Sequence, residues 1–156
     1  MLIAAISVIV GASMYVFSGY MDRATEEQAV QGMNGLNSLL EMKKQDALRA
    51  AVLMAEDPWV RAAVENKDSA KIVAVLSNLA RHEKVDFVTV TDEQGVVLAR
   101  THEQRKGDSV LNQANIKSAL NGVPLAAVEQ GTVVKLSARA GAPVKDSQGK
   151  VIGVVS

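Results

Sequence analysis

The rhythm of apolar and polar positions takes three forms along this chain. From Leu2 to Tyr20, LIAAISVIVGASMYVFSGY, no charge interrupts the apolar run. At a rise of about 1.5 Å per residue, about 20 residues cross a hydrocarbon layer of roughly 30 Å. The run therefore predicts a transmembrane anchor over 1–21, with Tyr15 and Tyr20 suited to an interface. A cleaved signal peptide fits less well, since no Lys or Arg precedes the run and it exceeds a usual h-region.

The period then becomes helical. Met33, Leu36, Leu40, Ala47, Ala51 and Met54 fall at spacings of three, four or seven, with Lys43, Lys44 and Arg49 off that line. This predicts one long stalk helix over 22–57, weakened at Gly32 and Gly35 by about 1 kcal/mol each. Its stripe suits pairing with a second copy or packing on its own domain. In EDPWVRAA, Asp57 caps a second helix and Pro58 fills its first position, with Trp59 expected under the bend. Asp68 or Ser69 caps a third helix, whose Ile72, Val75, Leu76 and Leu79 share one face.

From Asp86 the period is two. Phe87–Thr91 reads as a strand, Asp92–Gly95 as a turn and Val96–Arg100 as the return strand. Asn112–Leu120 predicts a short helix, NGVP a connector and Thr132–Ala140 a strand that GAP interrupts. Val144 then leads through Asp146–Gly149 into a last strand, Lys150–Ser156. TDEQGVVLA and KDSQGKVIG echo each other and predict two similar hairpins. The fold class is α+β, an antiparallel sheet with packed helices in one domain over 58–156. The bare start Met1-Leu2-Ile3 and the stop inside an apparent strand suggest a segment of a longer protein, truncated at the C-terminus.

Composition removes whole classes. Net charge is zero, so nothing argues for nucleic acid, which favours a basic excess. Without cysteine there is no disulfide framework or thiolate metal site. No G-x-S-x-G, H-E-x-x-H, P-loop or Rossmann fingerprint is present. Ser109, Asp108 and His102 supply the residue types of a triad but no nucleophile elbow. No enzyme activity, cofactor or metal is expected.

One cluster does carry chemistry. Arg100, His102, Arg105 and Lys106 follow an apolar strand. Alternation puts Arg100 and His102 on one face, and Lys135, Ser137 and Arg139 on one face of the later strand, with Thr89 and Thr91 opposite Val88 and Val90. Guanidinium forks, an imidazole and hydroxyls suit a carboxylate. A solvated sheet face is the competing reading, since antiparallel sheets commonly keep one face wet.

FVTVTDEQGVVLARTH, then GDS, an AL-containing helix, an S-x-R strand, a proline and D-x-x-G-K-V-I-G-V-V-S resemble the single Cache (PAS-like) sensor domains of bacterial methyl-accepting chemotaxis proteins. They are related more distantly to citrate-sensing histidine kinases. The resemblance covers roughly Thr25 to Ser156. It implies an extracytoplasmic domain of an inner-membrane receptor and a small organic acid ligand; the stripe on the long helix suits a homodimer formed through it. It matches Arg100, His102, Arg139 and Ser156 to ligand-binding positions, with Thr91 and Ser137 beside them. The citrate-sensing branch has a second cation two positions beyond the later arginine, where this chain has Gly141, so a smaller acid is expected. The alternatives are a kinase output, or a dimerising module that binds a periplasmic protein.

Overall fold

The computed structural model describes residues 32–129 and 137–156. The expected anchor over 1–21 and the start of the strand expected from Thr132 lie outside them. Among the described residues, no helix is long and apolar enough to cross a membrane. The chain forms two compact units, Met1–Leu39 and Leu40–Ser156. In the first, the described residues are helical, with Met33, Leu36 and Leu39 exposed.

The described part of helix α1 covers 32–56, and its residues 40–56 belong to the second unit. Ala51 and Met54 of the stripe are buried here, and so are Ala50 and Ala55 beside them. Alanines at these positions let the helix come close to the sheet without a large side chain between them. Asp57 then accepts the N–H groups of Trp59 and Val60, opening α2 (Pro58–Glu65). Asp68 accepts from Lys71 at the start of α3 (Ser69–Glu83), which ends on Lys84 in the left-handed conformation.

Trp59 does not pack under the bend; it is 75% exposed. The buried face of α2 is Val60, Ala63 and Val64, and Trp59 lies about 100° round the helix from Val60.

The sheet contains β1 (Thr89–Asp92), β2 (Val97–Arg100), β3 (Leu125–Glu129), β4 (Ser137–Lys145) and β5 (Val151–Val155), in the order β2-β1-β5-β4-β3. All neighbours are antiparallel. Helix α4 (Ala114–Leu120) lies between β2 and β3 in the chain. The larger core fills the side of the sheet that faces α1, α2 and α3, around Met54, Ile72, Leu76 and Val90. A smaller core joins α4 to the other side through Val97, Ile116, Ala119 and Val154. Each large side chain so buried contributes about 1.5–3 kcal/mol.

The two echoing turns are the same structure. Asp92 and Asp146 each pair their backbone N–H with the residue four positions on, Val96 or Lys150, at 2.9 Å. Each carboxylate also accepts two backbone N–H groups at 2.9 Å, from Gln94 and Val96 in one turn and from Gln148 and Lys150 in the other. Gly95 and Gly149 supply the positive φ angles, +74° and +82°, that each turn requires.

Two features of the sheet depart from the sequence pattern. β4 runs through GAP without a break. Pro143 pairs with Val154, beyond Gly141 where pairing with β3 ends, so its missing N–H costs the ladder nothing. β1 and β2 carry a bulge: Val90 faces Ala99 but Thr91 faces Val97. The extra residue, Leu98, turns Val97 into the α4 core and Ala99 into the helical core.

Candidate functional site

The entry into β1, the start of β4 and the end of β5 meet beneath the C-terminal half of α1. Between them lies a cavity of about 700 Å³. α1 contributes Ala47, Ala50, Ala51 and Met54 to its wall, and the sheet contributes Val88, Ala140 and Val155. Ser137, Arg139, Ser156 and Phe87 also line it.

Arg139 is held in place from two sides. Its Nε donates to Ser137 Oγ at 3.1 Å. Its guanidinium carbon stands 5.7 Å from the centre of the Phe87 ring, within cation–π range. The same ring meets His102, centroid to centroid, at 5.1 Å and a tilt of 56°. Phe87 therefore links two residues that lie far apart in sequence. Sequence reasoning treated it only as the first residue of a strand. Its position just before β1 and its rarity, one of two phenylalanines, were the available signals.

Ser156 is fixed by its backbone and its side chain. It exchanges both backbone hydrogen bonds with Thr89, at 2.6 and 2.8 Å, and its Oγ accepts from Asn115 Nδ2 at 2.9 Å. Asn115 is wholly buried, and its Oδ1 has no partner among the described residues. Asn115 also explains Gly141. A Cβ at Gly141 would lie 2.5 Å from the Asn115 carbonyl oxygen, so α4 approaches β4 too closely for any side chain there. A cation two positions beyond Arg139 has no room in this packing.

Arg100 and Thr91 do not line this cavity. The Thr91 side chain is buried within β1, where its hydroxyl donates to the Asp92 carbonyl at 3.1 Å. Arg100 is 8% exposed and its guanidinium is engaged within its own loop. Nη1 and Nη2 form a bidentate pair with Asp108 at 2.9 and 2.8 Å, and Nη1 also donates to the Arg105 carbonyl at 2.7 Å. Nε lies 3.2 Å from Glu103. The hydrogen bond from Arg100 is the main cause that holds the Asp108 carboxyl down to about 2. The same bond raises Arg100 further above its ordinary value. The Gly107-Asp108-Ser109 segment thus supplies a counter-ion to Arg100. His102 is exposed, and its Nε2 lies 3.9 Å from Glu103. Among the described residues no cluster of His, Asp and Glu could hold a metal ion.

Of the expected site residues, the structure brings Arg139, Ser137 and Ser156 together at the cavity, and joins His102 to them through Phe87. Arg100 is drawn into the loop instead.

Comparisons with known proteins fit this geometry. Residues 23–156 match the model of the family described as Single cache domain 3. The sensor histidine kinase CitA of Klebsiella pneumoniae is 28% identical over 143 residues, covering 92% of this chain and 24% of that protein. The chain therefore spans about a quarter of that relative's length. The crystal structure of the E. coli DcuS sensor domain matches with a TM-score of 0.64 at 26% identity, over 74% of this chain and 86% of that one. The sensor domain of the V. cholerae histidine kinase DctB matches with a TM-score of 0.61, over 82% of this chain and 55% of that one. At 14% identity, that second likeness is one of fold alone.

Proposed function

This chain belongs to the single Cache domain 3 family, and from that premise we propose that it is the extracytoplasmic sensing part of a membrane-anchored signalling protein. Its ligand is a small organic acid, and it performs no catalysis. The observation that carries the reading is the cavity between α1 and the sheet, with Arg139 in its wall. A guanidinium held by Ser137 and stacked on Phe87 is preorganised, so little freedom is lost when a carboxylate docks.

The site touches both the sheet and α1, so occupancy favours one position of the helix relative to the strands. A ligand shifts such an equilibrium only through its different affinity for the two positions. Displacements of about 1–2 Å at helix interfaces are enough in other switching proteins. A histidine kinase output is favoured over a chemotaxis receptor by the CitA relative, whose similarity extends over 92% of this chain. Exposed Met33, Leu36 and Leu39 support a homodimer formed through the long helix.

The test is calorimetric titration of the whole chain, in mild detergent, against acids of two to six carbons. At least one acid is expected to bind, and Arg139→Gln is expected to weaken it by about 2 kcal/mol, roughly 30-fold. If no acid binds and Arg139→Gln is silent in every assay, the partner-binding alternative replaces this reading.

A further inference from the structure

We infer that Asp108 is a tethered competitor of the ligand: its carboxylate occupies the guanidinium of Arg100, and an incoming acid displaces it and releases the loop 102–108. The inference rests on the sensor reading and adds regulation to it.

Register puts Arg100 in one row with Ser156, which lines the cavity. Arg100 is the β2 partner of Thr89, and Thr89 exchanges both backbone hydrogen bonds with Ser156. Val88 and Val90 enter the helical core, so alternation turns Thr89 to the α4 side, where Ser156 already meets Asn115. Residues paired across an antiparallel sheet share a face, so Arg100 lies on that side too, two strand spacings or about 10 Å from Ser156. Among the described residues, every side-chain partner of Arg100 nevertheless comes from its own loop. Asp108 takes Nη1 and Nη2, the Arg105 carbonyl accepts from Nη1, and Glu103 lies beside Nε. The sheet and α4 contribute none. A free carboxylate would dock on a guanidinium in the same bidentate way.

The loop is built to let go. THEQRKGDS, residues 101–109, contains no apolar side chain, and 102–107 are exposed. Apart from Arg100, residues 102–108 are held by two backbone hydrogen bonds with Val97, by Lys106 on Ser69 at 3.3 Å and by the His102 ring against Phe87. A segment with so few buried apolar contacts opens at low free energy. The Arg100 side chain is 6% exposed and that of Asp108 is 33% exposed, so water reaches the anion far more than the cation. An enclosed guanidinium is costly to leave without a counter-ion. The loop therefore stays shut until a second carboxylate arrives, and docking and opening become one exchange. A loop that is closed for about nine-tenths of the time lowers the apparent affinity of the acid about tenfold.

The experiment compares Asp108→Asn with wild type by titration calorimetry of the whole chain in mild detergent, against acetate, succinate, citrate and hexanoate. Asparagine keeps the shape and loses the charge. At least one of these acids is expected to bind Asp108→Asn about tenfold tighter or more, and Arg100→Gln added to that variant is expected to remove the gain. Hydrogen exchange on the wild type gives a second reading that needs no variant. With the tightest of the four acids at saturation, the amides of Val97 and Gly107 are expected to exchange about tenfold faster, while the Asp146 amide, bonded to Lys150 in the other hairpin, keeps its rate. Equal or weaker binding to Asp108→Asn overturns the inference and leaves the sensor reading standing, and so does unchanged exchange at Val97 and Gly107. If Asp108→Asn does not fold, the exchange rates alone decide. Binding of none of the four acids to either protein removes both.

Discussion

The approach of α4 to β4 at Gly141 makes a quantitative claim about stability. In Gly141→Ala the new Cβ would lie 2.5 Å from the Asn115 carbonyl oxygen and 2.8 Å from its carbon. Ordinary contact begins at 3.4 Å, so the helix and the strand must separate by about 0.9 Å. The obstacle is backbone and cannot rotate away as a side chain would. Overpacking of this kind costs about 1–3 kcal/mol, and a rigid obstacle places this case near the upper end. For a unit of this size each kcal/mol lowers Tm by roughly 3–5 °C, so the expected fall is about 10 °C. Far-UV circular dichroism on heating measures it. Gly35→Ala is the control, because nothing lies within 4 Å of a Cβ built there, and it is expected to be neutral or slightly stabilising. A Gly141→Ala protein that melts within 1–2 °C of wild type, roughly the margin of a surface substitution, would falsify the claim that backbone excludes a side chain at this position.

Three further outcomes follow from other contacts. Asp108 has its carboxyl lowered from 3.8 to about 2, chiefly by its hydrogen bond from Arg100. Its stabilisation is therefore complete above about pH 4 and lost as pH falls towards 2, because the unfolded chain takes up the proton first. Urea midpoints measured across that window should fall less steeply in Asp108→Asn than in wild type; equal slopes would remove the ion pair as the cause. The two matching turns should differ in cost. Asp92→Ala strips two backbone N–H groups at a buried carboxylate and is expected to cost about 1–2 kcal/mol, whereas Asp146→Ala leaves its N–H groups to water and costs a few tenths, about 0.3 kcal/mol. Chemical denaturation of both variants checks the order. Trp59, at 75% exposure, should be readily quenched by iodide, and Trp59→Ser should change stability by no more than about 0.5 kcal/mol.

The sequence was most legible where local chemistry decides structure. The caps at Asp57 and Asp68, the glycine turns at 92–95 and 146–149 and the apolar face of α3 all appear as their residues require. It was least legible where the outcome depends on what lies across the sheet. LAAVE shows no alternation and so gives no strand signal, yet β3 pairs with β4 along its whole length. Pro143 seemed to end a strand because its lack of an N–H matters only on a paired side, and the pairing partner was not visible in sequence. At the cavity, simple alternation along one strand puts Arg139 and Ser137 on one face, and the two meet in its wall. Arg100 was assigned to the same site because its cluster looked like a row of cations. Its neutralising carboxylate, Asp108, comes within reach only when the loop folds back. Phe87 and Asn115 were missed because their importance lies in what they touch: a guanidinium and an imidazole in one case, a serine hydroxyl and a glycine in the other.

The bulge in β2 has a mechanical consequence. Val97 is anchored in one packing layer and Ala99, two residues later, in the opposite one. A short ribbon thus acts as a rivet through the sheet. Prising away either α4 or the three-helix layer strains the same four residues, so the two layers are expected to loosen as one cooperative block, not peel off in turn.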